Sequence, residues 1–423
     1  MKKLNIQIEE EQEEDENNFE LDDLTKKKNI NNIKNNNINI NILNDFNSIN
    51  KDNNDNNNNN NNNNIFINNN INIEDIKSYF SSPFSTNINN NDYSEDTSYN
   101  SWVSQDINLQ KLCSIYELNS INIDDILKKH DFNCELKLIK WITEDNDHKK
   151  KFFKISNSSN LNRHNDILPY KYNIVNINND NNINNISIDD YINASYINGP
   201  FISKTDKNMF IATQGPLKNT IYNFWEMIYN KKINLIIMLT KSNEDGKNKS
   251  EIYWPENNND LIINKNNNQI NISLIETSVI IQDSLIKRKL KFNNNKNNNL
   301  IVTQYQFISW PDHHVPIEDE NTYKIIEILM NNIYDNFFEN NFNIPILIHC
   351  SAGVGRTGTF IALCNIIRCL KKLKEIGEKP ILNVFNVVRK LREERYSMVT
   401  DKQQYKFIYK YCIDFVKDNF KLI

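Results

Sequence analysis

The chain has 423 residues, enough for one large or two medium domains, and 49 Lys and Arg against 54 Asp and Glu leave a net charge of −5. That balance provides no basic footprint for nucleic acid, and none is expected as a partner. No apolar run reaches the roughly 18 residues of a membrane span. Met1-Lys2-Lys3 leads into acidic rather than apolar residues, so no secretory leader is expected.

In chain order, the first hundred residues hold 8 Lys against 18 Asp and Glu, with acid concentrated between Glu9 and Asp23 and nine successive asparagines at 56–64. Such composition cannot bury enough apolar surface to offset chain entropy, so residues 1–104 are expected to be a disordered acidic and Asn-rich extension. The extension is either passive or a docking tail for regulators. Residues 105–423 are the folded domain. Leu109, Leu112, Cys113, Tyr116 and Leu118, then Ile123, Ile126 and Leu127, predict short amphipathic helices, continued by Leu136, Leu138, Ile139 and Ile142. A basic cluster follows at His148 to Lys151.

Strands are predicted at 192–197, 209–213, 235–239, 279–281, 285–292, 302–308 and 344–349, and helices at 319–336, 357–375, 383–394 and 401–419. Mixed strands and late helices imply an α/β (α+β) domain with a central twisted mixed sheet flanked by helices. Asn-rich pieces at 176–185, 257–271 and 293–299 read as insertions in surface loops, which tolerate length at small entropic cost. Six cysteines (Cys113, Cys134, Cys350, Cys364, Cys369, Cys412) show neither metal-pair nor disulfide spacing. A reducing cytoplasm, with access to the nucleus left open, fits that usage. No metal and no cofactor are expected. The C-terminus, Phe420-Lys421-Leu422-Ile423, carries no lipidation box.

The most informative stretch is His349-Cys350-Ser351-Ala352-Gly353-Val354-Gly355-Arg356-Thr357-Gly358, which holds three of the seven glycines. It lies between a β-branched run, Ile344 to Ile348, and a helical pattern beginning near Thr357. A thiol at a strand end, a glycine-rich turn and a helix N-terminus together form a grip for a phosphate dianion, because the backbone N–H groups and the positive helix end converge. The same field favours a thiolate at Cys350. The planar fork of Arg356 matches two phosphoryl oxygens. Thr357 can offer its hydroxyl to the sulfur and help the thiolate leave. These residues point to a cysteine-dependent phosphatase; a structural cysteine beside a helix cap is the bland alternative, and the ten-residue string as a whole argues against it.

This string resembles the signature loop of the protein tyrosine phosphatases, and further blocks carry the resemblance across roughly residues 130–420. It implies that Cys350 is the nucleophile, Arg356 the phosphate-binding arginine and His349 the residue that tunes the thiolate, with Ser351, Ala352, Gly353, Val354 and Gly355 lining the phosphate. In Trp310-Pro311-Asp312, Asp312 would be the general acid on a mobile loop, with Trp310 at its hinge. Asn162-Arg163-His164-Asn165-Asp166 resembles the substrate-recognition loop. Asp166 would bind substrate backbone, and His164 stands where the family usually has a tyrosine. Asp190 to Ile197 and Ile211 to Leu217 match blocks that are expected to be structural, and Phe224 to Met227 a core helix. Glu244 would pair with Arg356, and Lys249 would approach Asp312. Gln404 matches the second of two glutamines usual in the family, while Thr400 occupies the position of the first, which helps place the water that hydrolyses the phosphocysteine. The resemblance thus implies a non-receptor, phosphotyrosine-specific phosphatase domain over 105–423, with phosphotyrosine-containing proteins as partners. Two alternatives stand beside it: a phosphotyrosine-binding pseudophosphatase, prompted by His164 and Thr400, and a dual-specificity or lipid phosphatase, opposed by Ser351 and Val354 in the loop.

Overall fold

The computed structural model describes residues 116–119, 123–144, 148–156, 158–178, 186–200, 207–257, 259–294, 299–311, 314–316, 318–339 and 344–422. The expected extension at 1–104 lies outside these residues, as do Cys113 and Asp312.

Strands β2 (Ala194–Ile197), β3 (Phe210–Thr213), β4 (Leu235–Met238), β7 (Leu261–Lys265), β8 (Asn268–Ile281), β9 (Leu285–Asn294), β10 (Asn299–Phe307) and β11 (Ile346–His349) form one sheet in the order β2-β3-β11-β4-β10-β9-β8-β7. The centre, β3-β11-β4-β10, is parallel, and the two flanks are antiparallel. Both faces of the central strands are covered. Ile346 and Ile348 of β11 face one core, and Leu347 faces the other. That double burial is why these strands read as unbroken apolar runs rather than alternating ones.

The larger core lies under helices α1 (Ile123–Lys129), α2 (Phe132–Thr143), α4 (Glu320–Glu339), α5 (Gly355–Glu375), α6 (Val384–Glu394) and α7 (Lys402–Asn419). On the opposite face α3 (Ile221–Asn230) packs Phe224, Trp225 and Ile228 against Ile236, Leu290 and Phe292. Small pairs β1 (Tyr116–Glu117) with β12 (Ile381–Leu382) and β5 (Asn243–Glu244) with β6 (Lys247–Asn248) complete the elements. Tyr116 to Leu118, expected in a helical stretch, instead begins with the short strand β1.

A second expectation is also corrected. The Asn-rich segment 257–271, read as a loop insertion, forms most of the β7–β8 hairpin. Asn266 and Asn267 make its turn, with φ of 47° and 63°. Asparagine tolerates this left-handed geometry, which a type I′ two-residue hairpin turn requires at both central positions. Ile263 pairs with Ile270 and Leu261 with Ile272, placing these side chains on the α3 core, while Ile262, Asn264, Gln269 and Asn271 take the other face. The period-2 signal was present in Ile270-Asn271-Ile272 but diluted by the surrounding asparagines. At the next Asn-rich piece the flanking strands run to Asn294 and restart at Asn299, so only its middle falls between them.

Candidate active site

Cys350 follows β11 directly at the centre of the sheet and is 4% exposed. The loop after it turns through Gly353 at φ 73°, where a Cβ would come within 2.2 Å of the Thr213 carbonyl oxygen. Only glycine permits both the conformation and the approach. The loop's carbonyls are tied from outside. Gly215 N–H donates to Ser351 O at 2.7 Å, and Arg395 donates to Gly353 O at 2.9 Å and Ala352 O at 3.2 Å. The amides of Ser351, Ala352, Gly353, Val354 and Gly355 have no protein acceptor among the described residues. They run from the end of β11 to the N-terminus of the 21-residue α5, where unpaired amides and a positive helix end can receive an anion.

Arg356, in the first turn of α5, is 2% exposed. Its Nη1 and Nη2 donate to Glu244 Oε1 and Oε2 at 2.7 and 2.6 Å, and Nη1 also donates to Leu239 O at 3.0 Å. Burial works against the charge of Glu244. The Arg356 hydrogen bonds and charge outweigh it, helped by the Lys241 amide and the Thr240 hydroxyl, and hold the carboxyl below the ordinary carboxylate range. The guanidinium is thereby fixed as a flat fork beside the loop. Thr357, one residue on, has a buried hydroxyl with no hydrogen-bond partner among the described residues.

His349 is fully buried. One ring nitrogen, Nδ1, lies 3.1 Å from the Cys350 carbonyl and the other, Nε2, lies 2.8 Å from Tyr253 OH. Burial pulls its pKa down to about 4, against the opposing pull of the Cys350 carbonyl, so the ring is neutral at physiological pH.

Gln404 reaches the same loop from the first turn of α7. Its Oε1 accepts from Thr400 N–H at 3.1 Å and Thr400 Oγ1 at 3.0 Å. A Cβ on Gly355 would meet Thr400 Oγ1 at 2.9 Å and Gln404 Nε2 at 3.1 Å, so both side chains press against the phosphate loop. Asp401 caps α7 by accepting from the amides of Gln403 and Gln404, while Gln403 itself points to solvent.

Trp310 is completely buried, edge-on to Phe307 and Phe407, and its Nε1 donates to His314 O at 3.0 Å. It therefore anchors both ends of the segment that contains Asp312. Because Asp312 is outside the described residues, its approach to Lys249 is not described; Lys249 is half-buried, with its amide on Ser242 O at 2.9 Å. His164 and Asp166 are both exposed on a turn closed by Ile167 N–H to His164 O.

The connecting residues were not recognised from sequence as parts of the site. Asn193, in a block read as structural, donates to Asn162 Oδ1 (2.9 Å) and Ile167 O (2.7 Å) while accepting from Arg395 Nη2 (2.8 Å). It ties the turn bearing His164 and Asp166 to the arginine that holds the Cys350 loop. Gln214 accepts from Arg163 N–H and donates to Leu161 O, fastening the same turn to the end of β3. Arg395 stands at the C-terminal boundary of α6. Its only local signal was an arginine at the edge of an amphipathic helix, which is usually solvated.

A buried thiol at the end of a central parallel strand, an outward-tied glycine loop and a carboxylate-locked arginine define the class: a cysteine-loop, oxyanion-gripping α/β domain. Residues 158–414 match the family model described as protein-tyrosine phosphatase, and the chain belongs to that family. It is 36% identical over 271 residues to receptor-type tyrosine-protein phosphatase eta of Gallus gallus, covering 64% of this chain and 18% of that one. It is 34% identical over 225 residues to tyrosine-protein phosphatase 2 of Dictyostelium discoideum, covering 53% and 54%. Tyrosine-protein phosphatase non-receptor type 9 of Homo sapiens is 33% identical over 240 residues, covering 54% and 37%. The chain thus spans less than two thirds of the length of these curated relatives. A structure solved to explain the PTPN18 fingerprint on distinct HER2 tyrosine phosphorylation sites shares the fold, with a TM-score of 0.57 at 24% identity over 69% of this chain and 97% of that one.

Proposed function

We propose that this protein hydrolyses phosphotyrosine in proteins through a phosphocysteine intermediate, as a non-receptor enzyme of the reducing cytoplasm. The observation that carries the reading is the Cys350 loop with Arg356 locked bidentately by Glu244, a site built for a tetrahedral dianion. In the first step the Cys350 thiolate attacks phosphorus in line. The S–P bond forms, the P–O bond to tyrosine breaks, and Asp312 gives its proton to the departing phenolate oxygen. Arg356 and the amides from Ser351 to Gly355 hold the three equatorial oxygens, over which the charge of the transferring phosphoryl group is spread in the transition state. In the second step water attacks phosphorus, the Asp312 carboxylate takes its proton, and the S–P bond breaks to return the thiolate. Gln404 assists this step, and the Thr357 hydroxyl is the donor to the leaving sulfur.

His164 and Asp166 would face the substrate from the exposed turn, Asp166 binding its backbone. Lys249 would steady Asp312, and Trp310 would serve as the anchor of its loop. Among the described residues no helix is long and apolar enough to cross a membrane, and no disulfide joins any of the five described cysteines.

The test is hydrolysis by the purified full chain of phosphotyrosyl, phosphoseryl and phosphoinositide substrates, with Cys350→Ser as control. Turnover of the phosphotyrosyl peptide alone supports the proposal. Phosphoinositide or phosphoserine turnover would move the chain to the lipid or dual-specificity class. Binding of phosphotyrosine without turnover would make it a pseudophosphatase.

A further inference from the structure

Arg288 lies on β9, in register with Gln304 of β10, well away from the phosphate loop. Its guanidinium stacks over the Trp254 ring with Cζ 4.5 Å from the centroid. Its Nη1 donates to two buried side chains at once, Gln304 Oε1 at 3.0 Å and Gln306 Oε1 at 2.9 Å. From those two amides, hydrogen bonds run on to both functional groups of the site.

The first chain passes from Gln304 Nε2 to Tyr253 OH at 2.7 Å, from Tyr253 OH to His349 Nε2 at 2.8 Å, and from His349 Nδ1 to the Cys350 carbonyl at 3.1 Å. The second passes from Gln306 Nε2 to the Thr240 carbonyl at 3.0 Å. Thr240 Oγ1 and the Lys241 amide in turn donate to Glu244 Oε1 at 2.9 and 3.1 Å, and Glu244 holds Arg356.

An arginine has donors and no acceptor, whereas a glutamine amide can present either end. Arg288 therefore obliges both glutamines to turn their oxygens toward it and their NH₂ groups toward the site. With Gln304 donating to Tyr253, the phenol proton goes to His349 Nε2 at 2.8 Å in preference to the weak acceptor Met238 Sδ at 3.8 Å. His349 must then carry its proton on Nδ1 and donate it to the Cys350 carbonyl. Remove the guanidinium and Gln304 can reverse, accept the phenol proton and release His349 into the other tautomer. The Cys350 carbonyl then loses its donor. Reversal of Gln306 puts an oxygen against the Thr240 carbonyl and loosens the backbone that seats Glu244.

We propose that Arg288 is a positioning residue of the phosphate site, setting the direction of two hydrogen-bond chains that end on Cys350 and Arg356. The proposal rests on the phosphatase reading above, but its test needs no turnover. Nitrogen-15 NMR of the histidine-labelled full chain reports the His349 tautomer, its signal assigned by loss in His349→Asn. Calorimetric titration with orthovanadate reports the seating of Arg356. The wild-type chain is expected to show the Nδ1–H form, and Arg288→Met to populate the Nε2–H form and bind orthovanadate about fivefold more weakly, the effect of losing one net hydrogen bond. Arg288→Lys, still a cation with donors only, should restore the Nδ1–H form. Gln304→Leu should disturb the tautomer, and Gln306→Leu should weaken orthovanadate with the His349 signal unchanged.

A folded Arg288→Met chain with the wild-type tautomer and wild-type orthovanadate affinity overturns the proposal. If that variant does not fold, unchanged values in both glutamine variants overturn it instead. A wild-type chain that binds orthovanadate yet hydrolyses no phosphotyrosyl peptide would sink the assigned activity and leave the relay to be judged by these same readouts.

Discussion

Replacing Glu244 with alanine tests the seat of Arg356, the arginine proposed to bind phosphate. Arg356 is 2% exposed and the Glu244 side chain 9%, and two charge-assisted bonds of 2.7 and 2.6 Å join them. Alanine leaves the guanidinium buried against the Leu239 carbonyl without the carboxylate that balances its charge. Removing one partner of a buried pair typically costs 3–5 kcal/mol; because bound substrate or water can reach the freed N–H groups, about 3 kcal/mol is expected here. Urea denaturation should show that loss, and KM for a phosphotyrosyl peptide should rise on the order of tenfold as the fork loses its orientation. Glu244→Gln, which keeps one acceptor and no charge, should fall between. The pair also has a pH signature. The Glu244 carboxyl is held lower in the folded chain than in the unfolded one, so its contribution is complete above the ordinary carboxylate value near 4.3 and is lost as pH falls through the lower folded value. A Glu244→Ala chain should therefore lose less stability than the wild type on acidification below about pH 4. A stability loss under about 0.5 kcal/mol, the size of an exposed ion pair, together with an unchanged KM, would refute the assignment of Glu244 as the element that seats Arg356.

The Thr400 contact predicts a defect confined to the second chemical step. Thr400→Val removes one donor to Gln404 Oε1 while keeping the backbone one, so steady-state turnover should drop about fivefold with the phosphocysteine burst intact in rapid-quench traces. Gly353→Ala should cost about 3 kcal/mol or more in thermal or urea unfolding and abolish orthovanadate binding, since both the φ of 73° and the Thr213 carbonyl oppose a Cβ. His349 titrates near 4 when folded against about 6.5 when unfolded, so the unfolded chain binds the extra proton in between. Stability should decline as pH falls from about 6.5 toward 4, with a slope of up to about 1.4 kcal/mol per pH unit from this residue, and His349→Asn should flatten it. At the β7–β8 turn, Asn267→Gly places the preferred residue at a φ of 63° and should raise the urea midpoint by the equivalent of about 0.5 kcal/mol.

The candidate site was legible in the sequence because the proposed phosphate grip is local. A strand, a glycine turn and a helix start are contiguous from Ile344 to Thr359, and short-range backbone geometry alone brings Cys350, the loop amides and Arg356 to one point. The central strands were legible for a related reason: burial on both faces leaves continuous apolar runs. The β7–β8 hairpin was not, because asparagine serves both as a loop residue and as a left-handed turn former, and only pairing with β9 and packing on α3 chose between them. The supports of the site were decided by tertiary structure alone. Arg395 reaches the loop across 42 residues, Glu244 across 112, and Asn193 meets Arg395 across 202. No periodicity encodes such contacts. They arise where the crossovers of a parallel sheet bring strand ends and distant helix termini to the same edge, which is why the sequence determined what the site can grip and the fold decided how firmly it is held.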